Sequence, residues 1–197
     1  RGANGTYLAG VAHHWYSGDH FEDLRVIRDR YPDMLSVASE SCRGVKEPGI
    51  HPQYELATAE AYAHDMIGSF ANGTHYYADW CLVLNEKNGP YHNREKRGTW
   101  EDAIVYCDGA RDEVVCRLGY YYVSHIGRFV RPGAKVIGIS SYTNRLDACA
   151  FENPDGRIVL VVLNRTDSAI PFVARIGDHS QKVVTEAHSI VTAIIED

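Results

Sequence analysis

The sequence predicts an α/β region followed by an all-β region, and the change falls near residue 130. Before that point, short apolar runs typical of buried strands alternate with stretches whose apolar residues recur at helical spacing. After it, only short β-like runs separated by turn residues are found. Strand–helix alternation is typical of parallel strands joined by helical crossovers, and a series of short strands is typical of an antiparallel sandwich.

The α/β region contains three predicted strand–helix units. The first pairs the apolar run Tyr7–Ala12 with a helical stripe from Phe21 to Tyr31, and Asp19 with Glu22 resembles a capping box at its start. A closed eight-stranded barrel needs about 250 residues, so three units form an open part of such a barrel or a small self-sufficient three-stranded domain. Further strands are predicted at 34–39 and about 74–84, and further helices at 56–70 and about 112–126.

The all-β region is predicted to form an antiparallel β-sandwich. Arg131–Gly133 is the natural hinge, so the predicted domains are 1–130 and 131–197. Asn153–Gly156 reads as a tight turn between two strands. The six predicted strands are Lys135–Tyr142, Ala148–Glu152, Arg157–Asn164, Ile170–Ile176, Lys182–Ala187 and Ile190–Ile195.

Composition excludes several classes of function. The net charge of -6, with acidic and basic residues interspersed, argues against a nucleic-acid partner. No apolar run approaches the roughly 20 residues that span a bilayer, so no stable membrane insertion is expected. The five cysteines show no CxxC pair and no HExxH motif is present, so no metal and no cofactor is predicted. Unpaired cysteines favour a cytoplasmic compartment, with secretion as the alternative.

Glu40 is the first candidate catalytic residue, because it follows a buried strand directly. Catalytic groups of α/β barrels gather at the carboxyl ends of the strands, where the loops form the pocket. The alternative interpretation is a solvated glutamate that begins a loop.

Aromatic residues are predicted at the ends of the two neighbouring strands. His14 and Tyr16 follow the first strand and Trp80 ends the third. Aromatic faces stack on pyranose rings, and a tyrosine hydroxyl beside a carboxylate holds it ionised and oriented. The alternative is a packed aromatic cluster. Asn85 and Asn93, from the loop that follows, offer further polar contacts, and the set suits carbohydrate hydrolysis.

These same residues resemble glycoside hydrolase family 30, close to its glucosylceramidase branch. The resemblance rests on Ala12–Tyr16, Ala38–Cys42 and Ala78–Trp80, and it continues through the sandwich at Val161–Arg165. It covers nearly the whole chain with the motifs in the same order.

The resemblance implies the C-terminal part of a (β/α)8 TIM barrel, strands 6 to 8, fused to a β-sandwich. It implies that Glu40 is the catalytic nucleophile of a retaining β-glycosidase, flanked by His14 and Tyr16. Trp80 corresponds to the sugar platform, and Asn85 to a substrate-facing position.

One motif of the family is missing from the 197 residues. The Asn-Glu-Pro of the acid/base does not occur, since Asn85-Glu86 is followed by Lys87. We therefore expect the N-terminal part of the barrel, on the same parent or a separate chain, to supply the acid/base, and the fragment alone to be inactive. The expected substrate is a β-linked glycoside or oligosaccharide. Alternatives are an endo-β-1,6-glucanase, a β-xylosidase and a non-catalytic carbohydrate-binding module.

Overall fold

The computed structural model describes residues 7–90 and 100–196, and its first part is built on a three-stranded parallel sheet of order β1-β2-β4. In chain order the elements are β1 (Gly10–His14), α1 (Phe21–Arg30), β2 (Leu35–Glu40), β3 (Arg43–Val45), a 3-10 turn (Pro52–Tyr54), α2 (Glu55–Ala71), β4 (Tyr76–Tyr77), β5 (Val83–Asn85), β6 (Trp100–Asp102), β7 (Val105–Asp108), β8 (Glu113–Cys116), α3 (Leu118–Gly127), β9 (Lys135–Ile137), β10 (Leu146–Glu152), β11 (Ile158–Asn164), β12 (Ile170–Ile176), β13 (His179–Thr185) and β14 (Ser189–Ile195).

Helices α1 and α2 are the crossovers between the parallel strands, as the alternating pattern predicts. The predicted capping box at the start of α1 is wrong. His20 is the residue at the N-cap position, and no side chain caps the helix. The Asp19 carboxylate instead lies 3.0 Å from Nε2 of His64, on α2. A long-range ion pair has therefore replaced a local cap.

The predicted strand at 74–84 is broken into two short strands of different sheets. β4 continues the parallel sheet beside β2, whereas β5 pairs in parallel with β7. Between them, the backbone N–H of Trp80 donates to the carbonyl of Ser41 at 2.9 Å. That bond holds the chain against the end of β2 while it turns away from the sheet.

The predicted helix at about 112–126 is wrong in its first part. Glu113–Cys116 is strand β8, antiparallel to β7, and the helix α3 begins at Leu118. Val114 and Val115 are β-branched, and they pair with Cys107 and Tyr106. Such residues fit a pleated strand better than a helix. A further two-stranded pair, β3 with β6, was also absent from the predicted elements.

The six predicted strands of the all-β region are all present. Four form an antiparallel sheet of order β14-β11-β10-β9, and β12 pairs with β13. The turn between β10 and β11 places Gly156 at φ 86°, a conformation that glycine adopts without steric cost. The first strand ends at Ile137, earlier than predicted, and Tyr142 beyond it is fully exposed.

The main hydrophobic core lies between the helices and the sandwich. Helix α2 packs on β10 and β11, and α3 packs on α2 and β14, so the core contains residues from both predicted domains. The division at residue 130 therefore stays a prediction. The buried members of this core are Ala59, Ala63, Met66, Ile67, Tyr122, Ile126, Cys149, Phe151, Val159, Val161 and Leu163.

Candidate active site

Glu40 is the last residue of β2, at the carboxyl end of the parallel sheet. It lies opposite His14, the last residue of β1, where the register shifts by one residue. The Glu40 side chain is 31 % exposed, so it is accessible from the open end of the sheet. The predicted nucleophile thus lies at the carboxyl end of its strand.

Tyr16 and His14 both lie beside Glu40. The Tyr16 hydroxyl donates a hydrogen bond to Oε1 of Glu40 at 2.8 Å, and its ring remains exposed. Nδ1 of His14 lies 4.0 Å from the same oxygen, and its Nε2 lies 3.2 Å from Oγ of Ser39. The His14 and Tyr16 rings meet edge to face at 5.8 Å. One carboxylate oxygen is therefore held by the chain that follows β1.

The other two predicted substrate-binding residues occupy different surroundings. Trp80 is partly buried and is tied through its backbone to the end of β2. Asn85 lies on β5, in another sheet, and its Oδ1 accepts hydrogen bonds from the N–H groups of Lys87 and Gly89 at 3.0 and 2.8 Å. It thus organises its own turn, and its contact with substrate stays a prediction. Asn93 lies outside the described residues.

A buried hydrogen-bonded pair lies behind the ends of β2 and β4. The Tyr62 hydroxyl, on α2, donates to Oδ1 of Asp79 at 2.8 Å and lies 3.4 Å from the carbonyl of Ser41. Burial raises the pKa of the Asp79 carboxyl to about 6, although the Tyr62 hydrogen bond acts in the opposite direction. Its Oδ2 is buried and makes no hydrogen bond to any described residue. An ionised Asp79 is therefore costly.

A second buried chain of hydrogen bonds starts from Ser41, directly after Glu40. Oγ of Ser41 donates to the Tyr77 hydroxyl at 2.6 Å, and Tyr77 donates to Oδ2 of Asp65 at 2.7 Å. Burial raises the pKa of both Tyr77 and Asp65. These two sets of buried hydrogen bonds together fix the backbone at Ser41, directly after Glu40.

Sequence reasoning missed Tyr62, Asp65 and Tyr77. Their partners are 12 to 36 positions away in the chain, so no local motif joins them. One signal was present: Tyr62 and Asp65 lie among the apolar residues of α2, where a polar atom needs a partner. The identity of that partner depends on the fold.

The loop after β5 is fixed by a second buried polar cluster. The Asn88 amide, fully buried, donates to the Tyr106 hydroxyl at 2.7 Å. Tyr106 donates in turn to Asp102 at 2.8 Å, and the buried Arg117 pairs with both Asp102 and Glu55. This cluster joins β6, β7 and the start of α3 to the helix α2.

Two classes of feature are absent from the part of the chain that the structure describes. No helix there has the length and apolar character to cross a membrane. Among residues 7–90 and 100–196, no group of three histidine, cysteine or acidic side chains is arranged to hold a metal ion.

Comparison with known families decides the class of the protein. The model of the glycosyl hydrolase family 30 TIM-barrel domain matches residues 2–130, and that of the family's β-sandwich domain matches residues 133–193. The chain belongs to glycoside hydrolase family 30. The predicted fold class is confirmed: the chain carries the C-terminal part of a family 30 TIM barrel and a β-sandwich.

Curated relatives are glucosylceramidases at modest identity. Putative glucosylceramidase 4 of Caenorhabditis elegans is 28 % identical over 180 residues, which are 88 % of this chain and 33 % of the relative. Lysosomal acid glucosylceramidase of Mus musculus is 27 % identical over 173 residues, which are 84 % of this chain and 32 % of the relative. The chain thus spans about a third of the length of these relatives.

Solved structures that superpose on this chain support its assignment to the family. SrfJ from Salmonella typhimurium superposes with a TM-score of 0.91 at 32 % identity, over 100 % of this chain and 43 % of that chain. An endo-β1,6-glucanase superposes with a TM-score of 0.79 at 25 % identity, over 96 % of this chain and 41 % of that chain. A family 30 xylanase from Talaromyces cellulolyticus, at 16 % identity and a TM-score of 0.70, shares the fold.

Proposed function

We propose that this chain supplies the nucleophile of a retaining β-glycosidase and that Glu40 is that nucleophile. The observation that carries the proposal is the hydrogen bond of 2.8 Å from the Tyr16 hydroxyl to Oε1 of Glu40. This hydrogen bond lies at the carboxyl end of a parallel sheet, where barrel enzymes place their catalytic groups. A glutamate that only begins a loop does not need such a partner.

The hydrogen bond divides the two oxygens of Glu40 between two tasks. Oε1 accepts from Tyr16, so Oε2 is the oxygen that attacks the anomeric carbon of the sugar. A new ester bond forms as the bond to the leaving oxygen breaks, and that oxygen takes a proton from the acid/base. Water, deprotonated by the same group, then attacks the anomeric carbon, and the bond from that carbon to Glu40 breaks to release the sugar and the free carboxylate. The Tyr16 hydroxyl keeps the carboxylate aimed throughout.

The acid/base is a second carboxyl about 5–5.5 Å from the nucleophile in retaining enzymes. Asp79 has the raised pKa of a general acid, but it bonds Tyr62 and its Oδ2 is buried. A buried oxygen cannot reach a leaving group. We therefore assign the acid/base to an N-terminal part of the barrel, on the same parent or a separate chain.

A β-glucoside or a short β-linked oligosaccharide is the proposed substrate. The curated relatives named as glucosylceramidases support a β-glucoside. The endo-β1,6-glucanase supports the second candidate, an enzyme that cleaves within a glucan chain. A β-xylosidase activity is the remaining alternative within the family. Trp80 is proposed as the platform for the sugar ring, and His14 and Asn85 as polar contacts.

Covalent labelling tests the assignment of Glu40. The intact enzyme, treated with an activated 2-fluoro-β-glucoside, should gain one fluoroglycosyl group on the peptide that contains Glu40, as read by mass spectrometry. Glu40→Gln should gain none, whereas Glu47→Gln, a nearby exposed control, should be labelled like the parent. A label on another carboxylate would refute the assignment.

The need for a separate acid/base has its own test. The purified 197-residue chain should show negligible turnover of aryl β-glucosides. Robust hydrolysis by this material would overturn the proposal that the proton donor lies elsewhere. On the intact enzyme, product analysis separates release of single glucose units from cleavage within an oligosaccharide.

A non-catalytic carbohydrate-binding module is the rival of a different class. Such a module would bind sugar equally well in Glu40→Gln and would form no covalent intermediate. The partly exposed Glu40 carboxylate held by Tyr16 favours the enzyme, because a binding platform has no use for an aimed nucleophile.

A further inference from the structure

A cleft of about 450 Å³ lies beside Tyr16, and Glu40 is not among the residues that line it. Its volume is in the range of small-molecule clefts, about 300–1,000 Å³. The walls come from the loop after β1, from the segment that follows β2, from α2 and from the sandwich. The lining side chains include Trp15, Tyr16, Arg43, Ala61, Asp65 and Arg165.

One wall of the cleft is formed by a network of ion pairs whose opposite charges neutralise one another. His64 lies between two carboxylates, with Nδ1 at 2.8 Å from Asp147 and Nε2 at 3.0 Å from Asp19. Nε of Arg165 donates to the same Asp147 oxygen at 3.0 Å. The network joins the barrel part to the sandwich, and its charges are paired with one another. This wall therefore shapes the cleft without attracting an ion.

Other groups in the cleft have hydrogen-bonding capacity to spare. Asp65 accepts from Tyr77 through Oδ2, and its second oxygen has no hydrogen-bond partner among the described residues. Arg43 uses Nη2 on the carbonyl of Ala57 at 3.3 Å, and its guanidinium carries five N–H donors. The Arg43 guanidinium also lies over the Trp15 ring, 5.8 Å from its centroid. An acceptor and several donors thus line the same space.

The charges of the lining balance, since His64 and Arg165 are matched by Asp19 and Asp147 within the network, and Arg43 is matched by Asp65. A neutral ligand rich in hydroxyl groups fits such a cleft, because each hydroxyl both donates to a carboxylate and accepts from a guanidinium. The exposed ring of Tyr16 adds an apolar face on which a pyranose stacks. We propose that the cleft is a second carbohydrate-binding site for a neutral β-pyranoside, which shares Tyr16 with the Glu40 site but is not lined by Glu40.

A substitution of Ala61 tests the proposal without removing a polar group. Ala61→Leu fills the cleft from α2, and leucine is a good helix former. Ala57→Leu is the matched control, one turn earlier on the same helix at an exposed position outside the cleft. Methyl β-D-glucopyranoside is titrated into the full chain, and the NMR signal of the Trp15 indole N–H is followed.

We expect a saturable shift of the Trp15 signal that persists in Glu40→Gln. Ala61→Leu should weaken this binding at least tenfold, and Ala57→Leu should change it less than twofold. Absence of a saturable shift, or binding indifferent to Ala61→Leu, would overturn the proposal. Loss of the shift in Glu40→Gln alone would place the sugar at the Glu40 site and would also overturn it. Labelling of Glu40 is measured separately, so failure of either proposal is distinguishable.

Discussion

The two main sheets of the molecule differ in how many of their faces are covered. In β11 of the sandwich sheet, Val159, Val161, Val162 and Leu163 are all at most 2 % exposed. In the parallel sheet, the residues of β2 alternate, and only Ser36 and Ala38 are buried. The sandwich sheet holds the core together with α2 and α3, whereas the parallel sheet keeps an open side.

The two sheets therefore have different roles in one chain: the sandwich sheet stabilises the fold, and the parallel sheet carries the proposed catalytic residue. Burial of apolar surface in the α2–α3–sandwich core supplies the folding free energy. The open end of the parallel sheet leaves Glu40 and Tyr16 accessible. The nucleophile proposed at Glu40 needs such access, and the buried Asp79 pair shows the cost of a carboxyl group without it.

The largest expected effect tests whether the two sheets contribute differently to the free energy of unfolding. Leu163→Ala should lower the free energy of unfolding by about 3 kcal/mol, because it opens a cavity in the core. Leu35→Ala, on the open sheet at 40 % exposure, should cost less than about 1 kcal/mol. Urea unfolding measures both. Equal losses would contradict the claim that the sandwich side carries the stability.

The second expected effect concerns Asp79 and its pH dependence. The raised pKa means that the folded protein keeps this proton up to about pH 6, whereas the unfolded chain releases it near pH 4. Ionisation therefore lowers the stability of the native protein as pH rises from about 4 to 6. Asp79→Asn should match the native protein at pH 4 and exceed it by about 2 kcal/mol at pH 7.

Urea unfolding at the two pH values measures the Asp79 effect. A stability difference for Asp79→Asn that does not change with pH would contradict the assigned shift.

The sandwich could be predicted from the sequence almost strand by strand. Its signals are local, since alternating apolar runs and the Asn153–Gly156 turn specify antiparallel neighbours. The carboxyl end of the parallel sheet could be predicted equally well, because Glu40 follows one predicted strand directly and Tyr16 lies four residues after the end of another. What local signals predict is the order of elements and the residues at their ends.

The remaining features depend on contacts between distant positions. The strand predicted at 74–84 breaks because Trp80 bonds the backbone of Ser41, a partner that only the parallel sheet brings close. The pairing of Tyr62 with Asp79, and of His64 with Asp147, joins separate elements in the same way. A single sequence shows the polar residues but not which of them meet.

A smaller effect is expected at the junction of the two regions, through His64. Hydrogen bonds to Asp147 and Asp19 raise its pKa, against burial and the charge of Arg165, and Asp65 lies near it. Because the folded pKa exceeds the unfolded value of about 6.5, the stabilisation is complete below pH 6.5 and is lost as pH rises through the folded pKa.

His64→Gln should therefore cost about 1 kcal/mol of unfolding free energy at pH 6 and less at pH 9. Urea unfolding at both values is the measurement, and His179→Gln, exposed on β13, is the control. An equal loss at both pH values would show that the charge of His64 plays no part in joining the barrel part to the sandwich.

The smallest effect on stability is expected at the open end of the parallel sheet, in Tyr16→Phe. The Tyr16 ring is more than half exposed, so loss of its hydroxyl should change the free energy of unfolding by less than about 0.5 kcal/mol. The same change removes the donor to Oε1 of Glu40, and fluoroglycoside labelling should slow about tenfold, which corresponds to about 1.4 kcal/mol. If unfolding shifts strongly while labelling does not, the Tyr16 hydroxyl serves the fold rather than the nucleophile, and the separation of stability from chemistry fails at this residue.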